Sequence, residues 1–310
     1  MKLVLYNNGT PGVLSSRGVV DVSSAVKAYA PRTGEEAMEA IIANWDAVKA
    51  ELARLEQGGA AVPLDSVKLQ APLPRPPKIM CMGANYKENG TRPVQPMWGF
   101  LKNPEGVIGP GGTCVLPKFD ANVFHHEPEL VVVIGKRGKD IGQGEAMSYV
   151  FGYTAGVDGS AREGTTGSNG GGTRLGKNFD TFAPLGPCIV TADEVADPHN
   201  LVVKLSVSGE LRGQYNTDDM AHQIPECIEF FSSFMTITPG DLLFTGTNHQ
   251  GLGAMQDGDH IEIEIEKVGK FGFDVTDPLK RTWARGVDTA TAQAVREGTG
   301  APGASVRPQG

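Results

Sequence analysis

The stretch that most constrains how this chain can fold is His126-Glu127-Pro128-Glu129-Leu130, which runs straight into Val131-Val132-Val133-Ile134-Gly135. The apolar run reads as a strand, and a strand sends residues two apart to the same face, so Glu127 and Glu129 project together from one end of it. Two carboxylates side by side need a cation. A second apolar run, Val150 to Val157, ends in Asp158, and its tip would supply a third oxygen ligand if it lay beside the first. Three carboxylates with open positions suit a hard divalent ion that keeps waters or accepts substrate oxygens, Mg²⁺ or Mn²⁺ before Zn²⁺. Spacing alone also admits a plainer reading, a solvated polar face.

Charge and composition narrow what such a site could serve. A net charge of −8 leaves no basic patch for nucleic acid and no cationic face for a membrane, and an anionic substrate would need a metal or a lysine to receive it. Cys81, Cys114, Cys188 and Cys227 are widely spaced with no CxxC pair, which reads as buried small apolar residues of a reducing compartment. The N-terminal Met1-Lys2-Leu3-Val4-Leu5-Tyr6 lacks a signal-peptide pattern and no run approaches transmembrane length, so the expected location is cytoplasmic.

At 310 residues the chain is long enough for one large domain and a small one. Residues 1–70 read as a small accessory unit: short strands at Lys2 to Tyr6 and Val13 to Val22, then an amphipathic helix from Glu35 to Glu56 with Met38 and Trp45 in the core. The Pro-rich segment from Ala71 to Pro77 reads as an extended linker into a second domain, residues 71–280. Lys87 to Gly112, rich in Gly and Pro, has the length of a lid or binding segment. Gly171 to Lys177 matches GxxxxGK, but Asn178 stands where a Ser or Thr should hold the metal and two prolines follow where a helix should begin, so a flexible loop delivering Lys177 is the better account. Met220 to Phe234 reads as a helix interrupted by Pro225. Residues 281–310 form a polar C-terminal extension, expected to be partly disordered.

Several stretches together resemble the fumarylacetoacetate hydrolase (FAH) family over roughly residues 75–275. They are Lys78 to Tyr86, Phe100-Leu101-Lys102, His126 to Gly135, Gly152 to Arg162, Gly176 to Phe182, Leu185-Gly186-Pro187, Val207 to Glu210, and Pro239 through Thr247. The resemblance implies an α+β, predominantly β fold: a mixed β-roll or sandwich with a small N-terminal β-rich domain, usually a homodimer. It implies that Glu127, Glu129 and Asp158 chelate Mg²⁺ or Mn²⁺, that Lys177 is the family lysine, and that Thr247 of the Thr245-Gly246-Thr247 turn contacts a substrate carboxylate.

A 2-oxo acid such as an acylpyruvate can chelate the ion through its carboxylate and 2-oxo group, and Lys177 could stabilise the developing oxyanion. Tyr86, Lys102, Arg162 and Thr247 are the candidate substrate contacts, and Arg92 and Trp98 add to the impression of a small anionic substrate with an apolar or aromatic part. The expected reaction is hydrolysis of a carbon–carbon bond in a 2-oxo or 1,3-dioxo acid, as in the breakdown of aromatic compounds or sugar acids, with Glu127, Lys177 and His249 as catalytic groups. The sequence departs from the family pattern where water would be activated: Asn89 replaces the lid histidine of a His–Glu dyad, Arg92 falls near the Glu, Thr165 replaces a glutamine, and Asn248-His249-Gln250 replaces a proline. The histidines that could take over rank His249, His222, His125. Loss of the dyad leaves open an isomerase, decarboxylase or dehydratase working through an enolate beside the metal, or a metal-binding member without turnover.

Overall fold

The computed structural model describes residues 1–163, 172–299, 303 and 306–309. The architecture is α+β and predominantly β, the class expected. Pro128–Ile134 lies in the interior of a twelve-stranded sheet, antiparallel to Val150–Val157 on one side and to Leu242–Phe244 on the other. All seven of its residues are buried. Leu130, Val132 and Ile134 face one core cluster, while Val131 and Val133 face another shared with Met38, Ile41 and Leu52 of the N-terminal helices. A strand covered on both faces has no polar side to show, hence the uninterrupted apolar run.

On one flank the sheet continues from Val150–Val157 through Ala183–Thr191 to Lys2–Tyr6, Thr10–Ser15 and Gly18–Asp21; on the other it runs from Leu242–Phe244 to Ile79–Met82 and Gly99–Lys102. The first strands of the chain are therefore hydrogen-bonded into the sheet that carries Glu129. A five-stranded sheet holds Glu210–Asn216, Val202–Val207, His260–Ile265, Gly269–Thr276 and Thr113–Val115, and Ala121–His125 pairs with Ser160–Glu163.

Four local expectations change. The helix expected over Glu35 to Glu56 is two, Gly34–Ala43 and Trp45–Gly58, because Asn44 turns its side chain back onto the Ala40 carbonyl at 2.9 Å and leaves helical geometry. Pro225 starts rather than interrupts its helix, Ile224–Phe234, where a missing N–H costs nothing and Gln223 and Glu226 form a capping box. The C-terminal extension contains an ordered helix, Thr289–Glu297, capped by Asp288 and ended by left-handed Gly298. Part of the presumed lid is likewise sheet, since Gly99–Lys102 pairs with Ile79–Met82 and Val107–Ile108 pairs with Ala183–Thr191. All four cysteines are free and buried. Among the described residues no helix is long and apolar enough to cross a membrane.

Candidate active site

The antiparallel register sets Pro128 opposite Val157, and the Asp158 N–H donates to the Glu127 carbonyl at 2.8 Å. That single pairing brings the tip of the second apolar run beside the first. Glu127, Glu129 and Asp158 are buried, and one carboxylate oxygen from each lies within 4.8 Å of the others. Glu129 is held by the Gly246 N–H, which donates to Oε2 at 2.6 Å from the turn after Leu242–Phe244. Gly246 sits at φ 93°, where a side chain would strain the backbone, so the Thr-Gly-Thr turn is required to aim that N–H.

Three cations surround the triad. Lys177 Nζ donates to Glu127 Oε2 at 2.7 Å, to Asp158 Oδ2 at 2.5 Å and to Ser160 Oγ at 2.8 Å, which uses all its donors. Gly176 allows this approach: a Cβ there would lie 2.4 Å from the Ala161 carbonyl oxygen. Lys102 Nζ pairs with Asp158 Oδ1 at 2.6 Å and donates to the Lys177 carbonyl, and Arg162 Nη2 pairs with Glu127 Oε1. Burial alone would push the Glu127 carboxyl up, but Lys177, Arg162 and His249 hold it well below its usual range. Glu129 goes the other way, raised well above it by burial and by Asp158 and Glu127. Among the described residues Glu129 has no ion pair. A buried carboxylate pressed by two others and lacking a cation of its own fits a site for a divalent ion, and an all-oxygen donor set suits a hard one.

Nothing in the local sequence singles out Glu88, and the structure places it at the centre of the site's second unit. His249 Nδ1 lies 2.6 Å from Glu88 Oε1; Glu88 Oε2 accepts the His249 N–H at 3.0 Å and Gln250 Nε2 at 2.7 Å. The partners are 161 residues apart in sequence. Glu88 and Asn89 both have left-handed backbones, φ 54° and 59°, stabilised by Asp219, which accepts the Asn89 and Gly90 N–H groups at 2.9 and 3.0 Å. Asn248 spans to Asn89 and Asp219 at 3.2 Å each, locking the histidine loop to the lid turn. The only hint in the sequence was the combination of two departures from the family pattern, a histidine lost at Asn89 and one gained at His249.

The other expected site residues lie at different places around these units. Tyr86 and Thr247 are buried beside the Glu129 end, with the Tyr86 ring 5.0 Å from Tyr215. Lys102 and Arg162, expected to meet substrate, direct their charge to the protein's own carboxylates. His222 serves the lid, with its ring Nε2 2.8 Å from the Gln95 carbonyl oxygen and its backbone N–H donating to Asn85 Oδ1 at 2.9 Å. His125 is fully buried and pushed down to about 4 by that burial, so its ring is neutral. Thr165 lies outside the described residues.

Glu88 also carries a stability prediction. Burial raises its pKa, but the hydrogen bonds and charge of His249 outweigh that and bring it below the ordinary 4.5. A depressed carboxylate stabilises the fold fully above its unfolded value and loses that contribution as the pH falls through its folded value. Glu88→Gln is therefore expected to narrow its stability gap to wild type as the pH drops below 4.5, measured by urea unfolding across the acid range. A gap that stays constant would show that the pair adds no such linkage.

Comparison with known proteins places relatives over most of the chain. The C-terminal domain of fumarylacetoacetate (FAA) hydrolase matches residues 78–276. The chain is 39% identical over 264 residues to the mitochondrial oxaloacetate tautomerase FAHD2B of Bos taurus, covering 81% of this chain and 82% of that one. Among solved structures, maleylpyruvate hydrolase from Sphingobium sp. SYK-6 superposes with a TM-score of 0.80 at 34% identity, over 89% of this chain and 100% of the other. The same enzyme has been solved with manganese(II) and pyruvate. The 2-hydroxyhepta-2,4-diene-1,7-dioate isomerase of Mycobacterium marinum gives a TM-score of 0.63 at 35% identity, over 71% of this chain and 82% of that one. With the family match spanning most of the chain and relatives of this identity and coverage, the protein belongs to the fumarylacetoacetate hydrolase family.

Proposed function

We propose that this protein is a Mg²⁺- or Mn²⁺-dependent hydrolase that cleaves the carbon–carbon bond of an acylpyruvate-type 2-oxo acid, with Glu88 and His249 as the water-activating pair. The observation that carries the reading is the buried Glu88–His249 contact of 2.6 Å next to the carboxylate triad. It replaces the base that Asn89 cannot provide. The match to maleylpyruvate hydrolase over 89% of the chain supports it.

Glu127, Glu129 and Asp158 would hold the ion, which when bound supplies Lewis-acid stabilisation for negative charge on the substrate's 2-oxo oxygen. Lys177 stays protonated, because Asp158 and Glu127 raise its pKa against the effect of burial, so it works as a charge and a donor, not as a base. With Nδ1 engaged by Glu88, His249 presents Nε2 as its working nitrogen. It takes a proton from water as the oxygen attacks the distal acyl carbon. The carbon–carbon bond then breaks, its electron pair leaving on the pyruvate side, and the imidazolium, stabilised by Glu88, returns the proton to that carbon. The products are a carboxylic acid and pyruvate.

A second reading uses the same pair without water: His249 moves a proton between carbon and oxygen of a 2-oxo acid, as a tautomerase would. Its support is the 39% identity to an oxaloacetate tautomerase. An assay of acylpyruvates and oxaloacetate with Mg²⁺ or Mn²⁺ separates the two. Release of equimolar pyruvate and carboxylic acid is expected; tautomer interconversion without release would replace the first reading with the second.

A further inference from the structure

The C-terminal helix Thr289–Glu297 lies beyond the residues matched by the family domain, yet two chains of contacts run from it into the site. Along the first, Arg162 bonds Glu127 Oε1 through Nη2 and donates from Nε to His125 Nδ1 at 3.2 Å. A guanidinium can only donate, so His125 Nδ1 is the acceptor and the ring hydrogen of the neutral imidazole sits on Nε2. That Nε2 lies 3.5 Å from Asp288 Oδ2. Asp288 is itself pinned: it caps the helix by accepting the Thr291 N–H at 2.9 Å, and its own N–H donates to the Leu252 carbonyl at 2.8 Å. Along the second, Gln250 Nε2 donates both to Glu88 Oε2 at 2.7 Å and to the Ala292 carbonyl at 3.1 Å.

We propose that this helix is a clasp on the active site and that Asp288 is a positioning residue, acting through His125 and Arg162 on the carboxylate of Glu127. The inference rests on the metal-site reading above. Arg162 sets the His125 tautomer and the Asp288 carboxylate faces the Nε2 side of that ring, His125 holds the Nε side of Arg162, and the guanidinium is thereby limited to one oxygen of Glu127. Released from His125, Arg162 is free to close its fork over both oxygens and compete with an incoming cation.

The test is Mn²⁺ binding by titration calorimetry on the full chain, together with thermal unfolding of the metal-free protein and steady-state kinetics. Asp288→Asn keeps a good helix cap and removes the charge on the relay. It is expected to weaken Mn²⁺ binding by about tenfold or more, the usual cost of losing a group that orients a ligand, and to lower kcat in parallel with little change in Tm. Ile41→Val, on the buried face of helix Gly34–Ala43, is expected to lower Tm and leave Mn²⁺ affinity within about twofold, as for an independent site. Wild-type affinity in Asp288→Asn would overturn the clasp alone, as would an equal loss of affinity in Ile41→Val, which would reduce the effect to general stability. A wild-type protein that takes up no Mn²⁺ would overturn the metal-site reading and the clasp with it.

Discussion

Replacing His249 with alanine is expected to lower kcat for carbon–carbon hydrolysis by about 10²–10⁴-fold, the range lost when a positioned general base is removed. KM should change little, since the ring is bound to Glu88 and makes no hydrogen bond to the carboxylate triad. Glu88→Gln should lower kcat by a smaller factor, and the double variant should be no worse than His249→Ala alone, because residues acting as one unit are not additive. Steady-state kinetics on an acylpyruvate decide the matter. Undiminished turnover in His249→Ala would exclude the imidazole as the water base. Hydrolysis lost with tautomerisation kept would assign the pair to water alone.

The second large effect has opposite signs for stability and for function. Glu129 is the triad member whose pKa is raised, by burial first and then by Asp158 and Glu127, so its ionised form strains the metal-free fold. Glu129→Gln keeps the side-chain shape and an acceptor for the Gly246 N–H while removing that charge. The metal-free variant is expected to unfold at a higher temperature than wild type at neutral pH. It should also lose the rise in Tm that Mg²⁺ or Mn²⁺ gives the wild type, and its activity should fall by at least about tenfold, since a ligand counts for no less than the groups that orient it. Thermal unfolding with and without the ion reads both parts. A variant that is less stable without metal, or that still gains stability from it, would contradict the site assigned to Glu129.

The metal end of the site was legible because it is local. Glu127 and Glu129 share a face by strand geometry alone, and the apolar runs that follow Glu129 and precede Asp158 needed only to pair antiparallel for Asp158 to join them, as the Pro128–Val157 register shows. Residue types without spacing were less informative. Lys102 and Arg162 looked like substrate receivers because a cation near an anionic substrate is the simple inference; only the fold reveals that Asp158 and Glu127 already engage them. Helix breaks turned on single side-chain choices, such as Asn44 bonding the Ala40 carbonyl, which competes with the helix and is not encoded in hydrophobic periodicity.

By itself the sequence determined a chain rich in buried strands, a carboxylate pair at the end of one of them, and a family pattern around it, because periodicity and short motifs act over a few residues. Only the tertiary structure decided what stands in for the missing lid histidine. Glu88 meets His249 across 161 residues through two left-handed backbone positions held by Asp219 and a loop fastened to the C-terminal helix. A contact of that kind depends on sheet order and loop path, and a lone Glu before an Asn carries no local signal of it. For the same reason the extension after residue 280 read as a tail, although Asp288 and the Ala292 carbonyl connect it to both halves of the site.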